Sequence, residues 1–289
     1  MKLTELINVG KKRLSVLYPE KEAAQMVFSY LEYSLGTKRH THLIEPDYEV
    51  DTQRASLALD AFGRMSEGEP LQYVTGISWF YDRPFKVSPA VLIPRPETEL
   101  LVHEMLKEMP ASVLDLCTGS GCIAWTLALE LPGTEVLAAD ISDEALEVAI
   151  SQDFSEEISR TGAKAPTFVK ADVLKPALDL TSPVTPRRFD AIVSNPPYVM
   201  DSERELMRQN VLEHEPHLAL FVPDEDPLLF YRALARHSAT HLSASGVGLV
   251  EINEALGKQT SAVFQERGFE TEVLTDFSGR DRFVKFRFA

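Results

Sequence analysis

A chain of 289 residues has room for one large domain or two ordinary ones. With 44% hydrophobic and 25% charged residues it has a folding composition, which excludes wholesale disorder and collagen-like repetition. Its 29 basic against 44 acidic residues leave a formal charge of −15, so tight nonspecific binding to naked nucleic acid is not expected.

The start of the chain places Glu5 and then Lys11, Lys12 and Arg13 where a signal peptide needs an unbroken apolar stretch. The uncharged stretch 117–129 is too short for a membrane span. Both features predict a soluble, cytoplasmic protein. Residues 1–75 show helical periodicity: Ala23, Ala24, Val27, Phe28, Leu31 and Leu35 fall on one face before Gly36, and Ala55, Leu57, Leu59 and Phe62 follow an acidic cap at Asp51. This segment is predicted to be a small helical substrate-recognition domain with a nearly balanced charge, 9 basic and 11 acidic side chains. Residues 76–94 change to short aromatic and β-branched runs around Asp82-Arg83-Pro84, the pattern of a β-hairpin linker. From residue 95 to 289, strands alternate with helices: 112–116, 135–139, 167–170, 189–194, 247–252 and two late runs near 270–274 and 282–288. That order predicts a largely parallel, doubly wound sheet with helices on both faces. The proline-containing stretch 176–188 reads as an exposed loop.

After the first of these strands, Asp115-Leu116-Cys117-Thr118-Gly119-Ser120-Gly121 makes a glycine turn into a helix. Glycines there let backbone approach a ligand, and the helix start offers free N–H groups. The second strand ends in Asp140, placed to accept ribose hydroxyls. Two cofactors fit. Gly119-x-Gly121-x-x-Ala124 satisfies the dinucleotide pattern, acid included, which keeps a nicotinamide oxidoreductase open. Asp115 favours S-adenosylmethionine, because a carboxylate suits a sulfonium and ammonium ligand and opposes a pyrophosphate. Asp172, after the third strand, sits where an adenine amino group could be met. Cys117 and Cys122 build neither a disulfide framework nor a four-ligand zinc site, and the seven histidines share no metal spacing with them.

The fourth strand runs into Asn195-Pro196-Pro197-Tyr198. Two prolines stiffen the backbone and remove two N–H donors, Asn195 adds an amide oxygen, and Tyr198 adds an aromatic wall. Such a corner suits a planar NH2 group with a delocalised lone pair. The Asn195 side-chain oxygen and the Pro196 carbonyl can hold both N–H bonds and aim the nitrogen at a methyl donor.

At these residues the chain resembles the amino methyltransferases of the class I, seven-stranded type. Gly68-Glu-Pro-Leu-Gln-Tyr-Val-Thr-Gly76, Val91-Leu-Ile-Pro-Arg-Pro-Glu-Thr-Glu99, Glu213-His-Glu-Pro216 and Ser278-Gly-Arg-Asp-Arg282 narrow the resemblance to the peptide chain release factor glutamine N5-methyltransferases, from about residue 60 onward. The resemblance implies transfer of a methyl group from S-adenosylmethionine, leaving S-adenosylhomocysteine, to the glutamine amide in the Gly-Gly-Gln loop of release factors. It further implies that Cys117, Thr118, Gly119, Ser120 and Gly121 wrap the methionine and ribose, that Asp140 binds the ribose, and that Asp172 and Val173 lie by the adenine. Asn195, Pro196, Pro197 and Tyr198 would hold the substrate amide, with Asn195 also beside the cofactor. Cys117 replaces the glycine more usual there, which suggests that position 117 needs no positive φ.

A ribosomal-protein glutamine methyltransferase shares Cys-Thr-Gly-Ser-Gly-Cys, but Pro94-Arg-Pro-Glu-Thr-Glu99 speaks for the release-factor family. An adenine N6 nucleic-acid methyltransferase would normally need a basic groove, whereas residues 76–289 carry 20 basic and 33 acidic side chains. A noncatalytic binding protein that kept the fold is a further alternative. Arg95 and Glu97 either brace the cofactor cleft or simply open a helix at Pro96. Acidic 201–215 and 224–226 read as solvated surface, with a docking role toward a basic partner as a secondary expectation.

Overall fold

The computed structural model describes residues 1–180 and 188–289. Most of the loop expected over 176–188 therefore lies outside the described residues. The chain forms two units, residues 1–77 with 207–214, and residues 78–206 with 215–289. The segment 207–214, read from sequence as part of the catalytic half, belongs to the first unit, where Arg208 ion-pairs with Glu22 at 2.7 Å.

The first unit contains α1 (Leu3–Leu14), α2 (Glu20–Leu35), α3 (Thr41–Ile44), α4 (Thr52–Ser66) and α5 (Leu71–Thr75). Apolar residues three and four apart bring Leu6, Leu14, Val27, Leu31 and Phe62 into one core. Asp51 caps α4 by accepting the Arg54 N–H at 2.9 Å. Leu57, expected on the inner face, is 58% exposed. The buried stripe runs through Ala55, Ala58, Phe62 and Met65, and residue 57 falls off that helical period.

The second unit opens with a two-stranded ribbon, β1 (Ile77–Phe80) and β2 (Arg83–Lys86). Its turn is Tyr81-Asp82, both at positive φ (50° and 59°), as a two-residue hairpin loop requires. Arg83 and Pro84, expected in the turn, lie in β2. There follow α6 (Pro96–Leu106), β3 (Ser112–Leu116), α7 (Cys122–Glu130), β4 (Glu135–Asp140), α8 (Asp143–Ile150), α9 (Ser155–Thr161), β5 (Thr167–Lys170), β6 (Phe189–Ser194) and the short β7 (Val199–Met200). After α10 (Gln209–His214), which is counted with the first unit, come β8 (Phe221–Val222), α11 (Leu229–His241), β9 (Leu242–Glu251), α12 (Gly257–Gln265), β10 (Phe269–Thr275) and β11 (Asp281–Phe288).

The seven-stranded sheet has the order β10-β11-β9-β6-β3-β4-β5. β9, β6, β3, β4 and β5 are parallel, and β11 is antiparallel to both neighbours. Alternation along the strands serves two cores: Val113, Val193 and Leu249 pack with Leu101 and Leu127 from α6 and α7, while Leu114, Ile192 and Val250 pack with Leu234 and Phe264 from α11 and α12. This is the doubly wound, largely parallel seven-stranded sheet expected from the sequence. The strand order reverses at β3, so a cleft opens at the carboxyl ends of β3, β4 and β6.

Close approach fixes one position of the sheet. A Cβ on Gly248 would lie 1.8 Å from Cζ of Phe286, its cross-strand partner, and Phe286 is locked by stacking on Phe264 at 4.2 Å. Gly248→Ala is expected to destabilise the protein by about 1–3 kcal/mol through overpacking, measured by chemical denaturation followed by circular dichroism.

Candidate active site

A cavity of about 340 Å³ lies at the carboxyl ends of β3, β4 and β6. Its floor includes Cys117, Thr118, Gly119 and Ser120 from the turn after β3. Asp140 lines it at the end of β4, and Asp172 and Val173 line it after β5. Asn195 and Pro197 close it at the end of β6. Gly121, Pro196 and Tyr198 do not line this cavity.

The turn is built by two glycines and one strained cysteine. Gly121 has φ +78, and a Cβ there would meet Ala149 and Trp125 at 3.1 Å. Gly119 has φ +54 with open space where a Cβ would stand, and its N–H donates to Asp140 Oδ2 at 2.8 Å. Cys117 has φ +62, which overturns the expectation that this position needs no positive φ. The chain must still reverse from β3 into α7, and the cysteine adopts the left-handed conformation that glycine would take more easily. Burial pushes both thiols up, that of Cys122 to about 12, so neither is a reactive thiolate.

Asp140 accepts from Gly119 N–H through Oδ2 and from Ser142 N–H, at 3.0 Å, through Oδ1. Burial, opposed by these N–H bonds, raises its pKa. Asp172 accepts the Leu174 N–H at 2.9 Å. The carbonyl of Val173 accepts from His237 Nε2 at 2.8 Å, and Arg236 donates to the Lys175 carbonyl at 2.7 Å, so α11 holds this loop from behind. Asp115, expected to face a cationic ligand, is wholly buried and does not line the cavity. Strand alternation puts it on the Val113 face, where Oδ2 accepts from Thr118 Oγ1 at 2.6 Å and Oδ1 has no hydrogen-bond partner. Burial, with the charge of Asp140 adding to it, raises its pKa to about 7.

At the end of β6 the register pairs Ser194 with Val250 of β9, so Asn195 leaves the sheet level with Glu251. Asn195 Nδ2 donates to Thr98 Oγ1 at 3.1 Å. Thr98 Oγ1 donates to Glu251 Oε2 at 2.8 Å, and Tyr198 Oη donates to Glu251 Oε1 at 2.9 Å. Among the described residues no donor reaches Asn195 Oδ1. The Tyr198 ring, expected as a wall of the site, packs instead against the cluster on the α11 and α12 side, and Asn253 Nδ2 donates to the Tyr198 carbonyl at 3.2 Å. Burial and the charge of Glu251 hold the Tyr198 phenol well above its ordinary pKa, so it stays a hydrogen-bond donor. Pro96 does open α6, with Glu97 and Glu99 in its first turn. Arg95 nonetheless lines the cavity and ion-pairs with Glu215 at 2.6 Å. Glu215 also accepts the Ile93 N–H at 3.2 Å, and its side chain is only 1% exposed. It is thus the exception to the solvated surface expected over 201–215, because the Arg95 guanidinium and the Ile93 amide replace its water.

Residues 96–218 match the family described as "Methyltransferase small domain", and residues 5–76 match the "PrmC N-terminal domain". The release factor glutamine methyltransferase of Flavobacterium psychrophilum is 38% identical over 283 residues, 95% of each chain. That of Bacteroides thetaiotaomicron is 42% identical over 76% of this chain and 77% of its own. The chain belongs to the release factor glutamine methyltransferase family. A solved structure titled as a release-factor-specific protein-(glutamine-N5) methyltransferase, from Alicyclobacillus acidocaldarius, aligns with 71% of this chain and all of its own at 28% identity and a TM-score of 0.41.

Within this release factor glutamine methyltransferase homologue, sequence reading missed Thr98, Glu215, Glu251, Arg236 and His237 as parts of the site. Thr98 lies inside the motif 91–99 and Glu215 inside 213–216, where no local pattern assigns either a place in the site. Glu251 carried a readable signal: one acid at the end of the apolar run Val247-Gly-Leu-Val250. No described helix is long and apolar enough to cross a membrane. Among the described residues no group of three or more His, Cys, Asp or Glu could hold a metal.

Two outcomes follow for the turn. A folded pKa for Asp115 raised to about 7, against about 3.9 unfolded, means that its contribution to stability is retained below pH 4 and lost as pH rises through 7. The unfolding free energy of the wild type should therefore fall relative to Asp115→Asn between pH 4 and 7, measured by urea denaturation without added cofactor; parallel curves would contradict this. At φ +62, Cys117→Val should be less stable than Cys117→Gly by about 1–2 kcal/mol in the same assay.

Proposed function

We propose that the cavity binds S-adenosylmethionine and that Asn195 and Pro196 hold the side-chain amide of a glutamine in the Gly-Gly-Gln loop of a peptide chain release factor for N5-methylation. The supporting observation is the orientation of Asn195: its Nδ2 is committed to Thr98, and its Oδ1 is left for a ligand at the wall of the cavity.

The lining suits this cofactor. Asp140, Glu144 and Asp172 line the cavity together with Arg95, a balance that favours a sulfonium and ammonium ligand and opposes a pyrophosphate. Asp140 keeps lone pairs for two ribose hydroxyls beyond the two N–H bonds it already accepts. Cys117, Thr118, Gly119, Ser120 and Gly121 would carry the backbone past the methionine and ribose, and Asp172 and Val173 would meet the adenine. When bound, S-adenosylmethionine supplies an electrophilic methyl group.

The protein's part is orientation. An amide nitrogen shares its lone pair with the carbonyl and attacks poorly. Asn195 Oδ1 and the Pro196 carbonyl, fixed by the sheet and the proline ring, accept its two N–H bonds and turn its π face to the donor. As the new C–N bond forms, the donor's methyl–sulfur bond would break to leave the neutral thioether S-adenosylhomocysteine; positive charge grows on nitrogen, and both fixed dipoles stabilise it. The alkylated nitrogen then loses one proton, so no strong base is needed. Pro197 and Tyr198 complete the rigid frame, and the helical first unit is proposed to meet the protein substrate.

Asn195→Ala is expected to lower kcat by about 10²–10³, measured with a radiolabelled methyl donor and purified release factor. Label appearing in a ribosomal protein, RNA or DNA offered alongside, and not in the release factor, would reject the substrate.

A further inference from the structure

We infer that Glu251 and Thr98 are positioning residues: a buried relay from the Glu251 carboxylate through the Thr98 hydroxyl to Asn195 Nδ2 sets which way round the Asn195 carboxamide faces. This inference rests on the proposed role of Asn195 above.

An asparagine side chain rotated by 180° about its last bond exchanges oxygen for NH2 with almost no change of shape. Turned the wrong way, Asn195 would present N–H donors to an incoming amide NH2, and the two would repel. Shape and packing alone do not prevent this, so the choice must come from a hydrogen-bond partner that accepts only a donor. Thr98 is that partner, yet a hydroxyl can act in either sense. Its sense is set one step further on. Glu251 sits on β9 in the row of Val247 and Leu249, with 1% exposure; burial raises its pKa, the Thr98 and Tyr198 hydroxyls and the Arg282 charge oppose that rise, and in its carboxylate form it can only accept. Thr98, from the first turn of α6, must give its proton to Glu251 Oε2, at 2.8 Å. The Thr98 oxygen then has only lone pairs left for Asn195, which answers with Nδ2 at 3.1 Å. The other oxygen of Glu251 accepts from Tyr198 at 2.9 Å. One carboxylate therefore holds both ends of Asn195-Pro-Pro-Tyr198 without lining the cavity itself.

Glu251→Gln keeps the shape but brings an NH2 to one of two hydroxyls that now donate. That hydroxyl must turn round and accept, and the preference at Asn195 weakens. Thr98→Val also keeps the shape and removes the relay, whereas Thr98→Ser keeps it.

The test combines two readouts on the full-length protein. The first is the side-chain amide signal of Asn195 in a ¹⁵N-asparagine-labelled sample, which needs no substrate. In the wild type and Thr98→Ser one amide proton should be protected from exchange, and that protection should be lost in Thr98→Val and reduced in Glu251→Gln. The second is methylation of release factor. Thr98→Val and Glu251→Gln should lower kcat by about 10²-fold while the affinity for S-adenosylmethionine, measured by calorimetry, stays within about twofold, and Thr98→Ser should restore most of the turnover. An unchanged Asn195 signal in Thr98→Val overturns the relay, whatever the substrate. Wild-type turnover in Thr98→Val and Glu251→Gln overturns its part in catalysis. A wild type that shows the protected proton but methylates no glutamine overturns the proposed function and leaves the relay standing.

Discussion

A carboxamide nitrogen is a poor nucleophile because its lone pair is already spent on its own carbonyl. A protein that alkylates such a nitrogen can gain little by adding a base, since the proton is lost only after the bond has formed. It can gain much by holding both N–H bonds on fixed acceptors, and the role proposed for Asn195 would draw on every element around the end of β6. The two prolines after Asn195 limit the backbone, the register of β6 on β9 brings Asn195 level with Glu251, and α6 supplies Thr98 between them.

At the end of β3 the same sheet would meet the proposed cofactor in different terms. There the protein offers backbone rather than side chains, through a turn that holds Cys117, Gly119 and Gly121 at positive φ. The left-handed Cys117 and the buried, unpartnered Asp115 oxygen both disfavour the folded state locally, and both lie in the turn or in the strand that feeds it. The apolar faces of β3 and α7, with eight buried residues from Cys122 to Leu129, offset that cost by burial on both sides of the turn.

Much of this was readable in the sequence. The strands 112–116, 167–170 and 189–194 appear at those bounds because short β-branched runs between turn residues and helical periods admit few other readings. Asp140, Asp172 and Asn195 reach one cavity because each follows a strand whose carboxyl end faces the same edge. What escaped was contact across the chain. Thr98 and Glu251 are 153 residues apart, and no local pattern states that a threonine on a helix will donate to an acid on a strand. Glu215 looked like one acid among several until its partners at Ile93 and Arg95 were in view. Local backbone also misled: a cysteine at 117 argued against positive φ, yet chain reversal there outweighs the side chain's preference.

The central claim is that Asn195 Oδ1 and the Pro196 carbonyl grip the amide that receives the methyl group. A crystal structure of the enzyme with S-adenosylhomocysteine and a release factor carrying its unmethylated Gly-Gly-Gln loop tests this most directly. The account predicts the glutamine amide nitrogen at about 2.7–3.2 Å from both oxygens, with its face toward the sulfur. A glutamine amide held elsewhere, or an Asn195 that presents Nδ2 to it, would contradict the account.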